Sequence, residues 1–164
     1  MYGRRAPKHH PRVEAYGTVD ELNAALGLAR AKAEADFIRE NLLTIQKDLI
    51  VLMGELCVQP EDLARYVKDG YALVTPGLTA KLEVLIREIE AQNIKSDGWA
   101  TPGATESSAA LDVARTVCRR AERRVCALKE TDALKNNEII VYLNRLGDLL
   151  WLLARWVEIK APKK

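Results

Sequence analysis

The sequence predicts an all-α protein, a single bundle of about five helices, on three observations. Apolar residues recur at steps of three and four along most of the chain. No segment alternates apolar and polar residues with the period of two that a half-buried strand requires. Short stretches containing Pro or Gly separate the periodic segments, and neither an internal repeat nor a low-complexity tract is present.

The first helix is expected to open at Thr18, where "TVDEL" has the form of a capping box: the Thr18 hydroxyl accepts from the Glu21 amide and Glu21 reaches back. Residues 1–17 then form an N-terminal loop and residues 18–161 the bundle. Leu22, Ala25, Leu26 and Ala29 give this helix an apolar face. A second helix starts near Asp36, and its seam is Leu42, Ile45, Leu49, Leu52 and Leu56. Gln59-Pro60 stops it, so residues 59–74 read as a loop with a short helical turn at "EDLARYV".

Thr75-Pro76 is an N-cap followed by Pro at the first helical position, opening a third helix to about Asn93. Gly98, Pro102 and Gly103 interrupt the chain, and Thr105 caps a fourth helix to about Glu130 with the seam Leu111, Ala114, Cys118, Ala121, Val125 and Leu128. After "TDALKNN" a fifth helix carries Ile139, Leu143, Leu146, Leu150, Leu153 and Val157.

Composition narrows the function classes. The chain has 164 residues, 48% of them hydrophobic and 29% charged, which describes a globular domain able to bury a core. Its 25 basic residues nearly balance 23 acidic ones, giving a formal charge of +2, too small an excess for a dedicated nucleic-acid binder. No stretch reaches the roughly 20 apolar residues of a membrane span, and no signal core follows the basic N-terminus. A cytoplasmic protein is expected. Cys57, Cys118 and Cys126 lack zinc or disulfide spacing and read as small hydrophobes. His9 and His10 adjoin a proline and read as surface residues.

Positive charge is nevertheless concentrated in one place. "ARTVCRRAERRV", residues 114–125, holds five arginines and one glutamate. At about 100° per residue, Arg115, Arg119 and Glu122 share one shoulder of the apolar stripe, Arg120 and Arg123 face away from it, and Arg124 lies on the opposite shoulder. Guanidinium groups at a half-covered helix edge need partners, which can be carboxylates or a bound polyanion. Periodicity alone leaves both open. On the fifth helix, Asn144, Arg145 and Asp148 interrupt the apolar segment, and a polar face so close to the core reads, taken alone, as interhelical hydrogen bonding more than as a ligand site.

Three blocks, "RVEAYGTVDELNAALG" (12–27), "PGATESSAALDVARTVCRRAERRV" (102–125) and "YLNRLGDLLWLLAR" (142–155), closely resemble the ATP:cob(I)alamin adenosyltransferases of the propanediol-utilisation type. The resemblance spans nearly the whole chain in the family's order and spacing. It implies a five-helix bundle assembling as a homotrimer, with ATP and corrinoid bound between subunits, Mg²⁺ beside the nucleotide, and adenosylcobalamin as product. By motif position, Arg115 corresponds to the arginine that pairs across the interface with Asp20, and Arg119 to one contacting phosphate, with Arg120 a lesser contributor. Glu122 corresponds to an acid near nucleotide and metal, Asn144 to an ATP-binding asparagine, and Lys8 to a basic residue approaching the phosphates. Trp99 stands where the family has a phenylalanine covering the lower face of the corrin, beside which Asp20 also lies.

The family's Thr-Gly-Asp-x-Gly-x-Thr phosphate loop is absent from this sequence. That departure keeps a second reading in play, a trimeric nucleotide or corrinoid carrier without catalysis. A flavin-dependent reductase and an adenosylcobalamin-dependent acceptor enzyme are the implied protein partners. Glu-x-x-His motifs of a ferritin-like metal bundle are missing.

Overall fold

The structure, a computed structural model, describes residues 1–94, 99–131 and 133–160. Gly98 of the third inter-helix break, Asp132 of the fourth and residue 161 of the expected bundle lie outside these. Among the described residues there are six α-helices and no strand: α1 (Pro11–Lys32), α2 (Asp36–Cys57), α3 (Leu63–Lys68), α4 (Pro76–Glu90), α5 (Glu106–Glu130) and α6 (Glu138–Lys160). The five long ones match the periodic segments. The sixth, α3, is six residues long and follows a 3-10 turn at Pro60–Asp62, within the segment expected to be mostly loop.

α1 packs on α2 and α5, α5 on α6, and α6 on α4. The core between them is continuous, and the seam residues Leu22, Leu42, Leu49, Leu111, Cys118, Leu143 and Leu150 are fully shielded from solvent. Each such leucine contributes roughly 1.5–3 kcal/mol relative to exposure. Tyr142 is the bulkiest fully buried side chain, and its hydroxyl donates to the Asp48 carboxylate at 3.4 Å.

The expected start of the first helix is corrected by seven residues. α1 opens at Pro11, with His10 as its N-cap: the His10 Nδ1 accepts from the Arg12 amide at 3.1 Å. Thr18 lies inside the helix and its hydroxyl donates to the Glu14 carbonyl at 2.7 Å, while Glu21 bonds Arg120 instead of closing a capping box. Proline at the first helical position, which sacrifices no intrahelical bond, outweighs the Thr–Glu signal. The loop therefore ends before residue 11 and not at residue 17. α4 ends at Glu90, three residues short of expectation, before the left-handed Asn93 at φ 53°. At the other two predicted caps, Thr105 and Ser108 exchange reciprocal hydrogen bonds of 3.0 and 3.1 Å, whereas Thr75 makes no side-chain cap bond.

Arg12 fixes one end of the bundle. It is buried, and it donates to the carbonyls of Leu56 and Val58 at 3.0 Å each and to that of Ala133. These oxygens lie at the C-terminal end of α2, where helical partners run out, and in the α5–α6 connection. Nearby, buried Glu55 accepts from the Val74 amide at 2.7 Å and from Asn136 at 2.9 Å, tying the segment before α4 to the one before α6.

Candidate functional site

α5 distributes its arginines between two flanks. On the flank facing α1, Arg120 pairs with Glu21, and Arg124 with Glu14 at 3.3 Å. Their order, Glu14 to Arg124 and Glu21 to Arg120, shows that α1 runs antiparallel to α5. Arg123 is exposed, as the periodicity predicts, whereas Arg120 is only half solvated.

The other flank borders a cleft of about 360 Å³ between α4, α5 and α6. Arg115 and Arg119 line it from α5, Arg145 and Asp148 from α6, and Glu90 closes it at the end of α4. Ile86, Trp151 and Leu152 supply an apolar wall. Arg145 is neutralised by Asp148 at 3.2 Å and Glu83 at 3.6 Å. Arg119 forms no ion pair among the described residues, and its stem crosses α6 at Gly147, 3.8 Å from where a Cβ would stand. Glu122, one turn further along α5, accepts from the Asn144 amide at 2.9 Å. The cleft thus combines an uncommitted guanidinium, a second one half-used, and an aromatic surface, a combination suited to an anion with several oxygens joined to an apolar or ring-bearing body.

Behind Arg115 lies a charge network that sequence reasoning missed. Its Nε is 3.4 Å from Asp112 Oδ1, and the other oxygen of Asp112 accepts from Arg155 at 2.6 Å. Both Asp112 and Arg155 are buried. A detectable signal existed: two helices each place a charge, of opposite sign, at a position the apolar pattern assigns to the interior.

One chain does not assemble the remaining expected residues around this cleft. Asp20 is exposed on α1 and has no ion pair among the described residues. Lys8 is exposed and precedes α1. The N-terminal segment instead bonds to the α3 region, Tyr2 to Asp69 at 3.0 Å and Arg4 to Asp62. Trp99 is fully exposed, in the connection that leaves α4 beyond Glu90.

The cysteines are unsuited to nucleophilic work. Burial pushes the Cys118 thiol far above its ordinary range, and its Sγ donates to the Leu143 carbonyl at 3.2 Å. Cys57 and Cys126 are raised for the same reason. Among the described residues no group of three or more His, Cys, Asp or Glu is placed to hold a metal ion, and no helix is long and apolar enough to cross a membrane.

The sequence profile described as cobalamin adenosyltransferase matches residues 1–157. The corrinoid adenosyltransferase PduO of Salmonella typhimurium is 38% identical over 156 residues, a match covering 93% of this chain and 44% of that protein. This chain therefore spans less than half the length of that relative. The corrinoid adenosyltransferase of Bacillus subtilis is 34% identical over 165 residues, covering 98% of this chain and 81% of that one. Among solved structures, a variant PduO-type ATP:corrinoid adenosyltransferase from Lactobacillus reuteri, complexed with cobalamin and ATP, superposes with a TM-score of 0.84 at 29% identity, covering 97% of this chain and 87% of that one.

Proposed function

The chain belongs to the cobalamin adenosyltransferase family, and from that premise we propose that it transfers the 5′-deoxyadenosyl group of ATP to the Co(I) of reduced cobalamin. The cobalt electron pair forms the new bond to the 5′ carbon as the C5′–O bond breaks, and triphosphate leaves with that bond's electrons. Co(I) is itself a strong nucleophile, so the cofactor-derived substrate carries the difficult chemistry and the protein supplies placement and charge. The absence of an activated thiol is compatible with this division of labour, since the reaction requires no protein nucleophile.

The single observation carrying the reading is the pair Arg115–Arg119 at the cleft, with Arg119 uncommitted to any carboxylate among the described residues. Arg119 binds the triphosphate and stabilises the charge that grows on it as the C5′–O bond lengthens. Arg120 gives a lesser contribution after release from Glu21, and Lys8 approaches the same phosphates from its exposed segment. Asn144 binds ATP and, through its 2.9 Å bond, orients Glu122. Glu122 would hold Mg²⁺. One carboxylate suffices, because Mg²⁺ characteristically completes its shell with water and phosphate oxygens, and the ion would supply further charge neutralisation on the triphosphate.

Within one chain no ion pair joins Asp20 to Arg115, whose recorded partner is Asp112. The assembly is a homotrimer in which Asp20 of one copy pairs with Arg115 of the next, beside the corrinoid. Trp99, exposed and apolar, covers the lower face of the corrin, excludes an axial ligand and so makes Co(II) easier to reduce. A flavin-dependent reductase supplies the electron, and an adenosylcobalamin-dependent enzyme receives the product. The working compartment is the cytoplasm.

The test is direct. Protein, ATP, Mg²⁺ and chemically reduced cobalamin, mixed anaerobically, should yield a light-sensitive cobalt–carbon product and one triphosphate per turnover. Binding of both substrates without that product would instead indicate a carrier.

A further inference from the structure

The buried network behind Arg115 contains one acid more than its buried cation needs. Arg155 lies with its side chain 4% exposed, and Glu158, one turn along α6, faces it at 2.9 Å from Nε and 3.1 Å from Nη2. That glutamate already balances the guanidinium charge. Yet Arg155 also donates to Asp112 Oδ2 at 2.6 Å, and Asp112 is equally buried. Burying a second carboxylate against one cation is unfavourable unless a further cation answers it. The further cation is Arg115, whose Nε stands 3.4 Å from the free oxygen, Oδ1.

The four charges form a line from the end of α6 to the cleft: Glu158, Arg155, Asp112, Arg115. The two inner members are sealed from water, the outer two partly exposed, with side chains 20% and 25% accessible. Trp151 lies over Arg155, its ring centroid 5.9 Å from the guanidinium carbon, and so shields the line where it passes the cleft wall.

We infer that Asp112, held in one rotamer by Arg155, is a positioning residue that orients Arg115. Taking Arg115 by its Nε leaves the two terminal nitrogens, which have no protein partner among the described residues, as a pre-aimed fork for an acceptor at the cleft mouth. A guanidinium fixed at Nε loses less side-chain freedom when that acceptor arrives. The inference rests on the reading of Arg115 as a site residue, and it adds two residues that touch no substrate.

The test is a double-mutant cycle on the full chain. Asp112→Asn keeps shape and an oxygen for Arg115 but removes the charge. It should lower kcat/KM for reduced cobalamin about tenfold in the otherwise native protein and less than about twofold in an Arg115→Lys background, since coupled residues are non-additive. Equal losses in both backgrounds overturn the inference while leaving Arg115 as a site residue. Arg115→Lys with native kinetics sinks both readings together.

A second measurement does not depend on turnover. The ¹⁵N NMR resonance of Arg115 Nε–Hε, assigned by its disappearance in Arg115→Lys, should be sharp in the native protein and broadened in Asp112→Asn; an unchanged signal defeats the proposal. If Asp112→Asn does not fold, Arg155→Lys keeps the buried charge but not the fork. It should broaden the same resonance, and an unaltered line shape would again overturn the assignment.

Discussion

On the flank of α5 that faces α1, Arg120 and Arg124 each meet a glutamate of the neighbouring helix. On the flank that faces α4 and α6, among the described residues, Arg119 meets no carboxylate and Arg115 meets only Asp112, from its own helix. Residue type and helix are the same, so the difference arises from what the adjacent helix supplies. α1 offers Glu14 and Glu21, two turns apart on one face and within reach of Arg124 and Arg120. Asp148 of α6 and Glu83 of α4 are occupied by Arg145, and Glu90, which also lines the cleft, pairs with neither arginine among the described residues. An arginine cluster therefore divides into surface pairing and unspent binding capacity according to partner supply, which composition does not reveal.

The largest effect should come from Asp112→Ala. It leaves Arg155 buried with half its partners, and removal of one member of a buried pair costs about 3–5 kcal/mol, measurable as a lower midpoint in urea unfolding. A loss below about 1 kcal/mol would place this network in the same class as the solvated pairs on the α1 flank. Next comes Arg119→Ala, predicted to reduce turnover by about 10²–10³-fold, the range for deleting one donor to a developing anion. Because Arg119 is exposed and forms no ion pair among the described residues, the melting temperature should stay within about 2 °C of native.

An acid short of close cations extends the contrast with the sign reversed. Asp48 is buried, its nearest ammonium, Lys81, is 3.8 Å away, and desolvation raises its pKa. A carboxyl raised on folding costs stability while ionised at neutral pH. Stability returns as pH falls through the folded value, because the native state takes the proton first. Asp48→Asn should consequently gain on the native protein most near pH 7, with the gap shrinking toward the ordinary carboxylate range in pH-dependent unfolding. The smallest effect belongs to Arg124→Ala. Its pair with Glu14 is about half exposed on both sides, so stability should change by less than about 1 kcal/mol and turnover not measurably.

Helical periodicity made the bundle legible, because the seams of α2, α5 and α6 each repeat over about four turns or more. The shoulder shared by Arg115, Arg119 and Glu122 was legible for the same reason, and all three do face α4 or α6. The start of α1 was misread because a Thr–Glu pair mimics a cap while Pro11 and His10 provide the actual one. Arg12 and the Asp112–Arg155 pair escaped notice because their partners are distant in sequence, and a charged residue at an interior position looks like noise until the facing helix is known. Asp20, Lys8 and Trp99 were singled out by resemblance alone. No local pattern marks a residue whose proposed partner belongs to another copy of the chain.

Arg12 carries a consequence for how the molecule is made. Its three carbonyl acceptors lie 44, 46 and 121 positions downstream, so during synthesis two of them emerge early and the third only after α5 is complete. The nascent N-terminal hairpin must wait, partly latched, while a buried guanidinium seeks its last acceptor. Mutations that weaken that latch should reveal themselves as poor yield from the ribosome more than as altered chemistry in the finished protein.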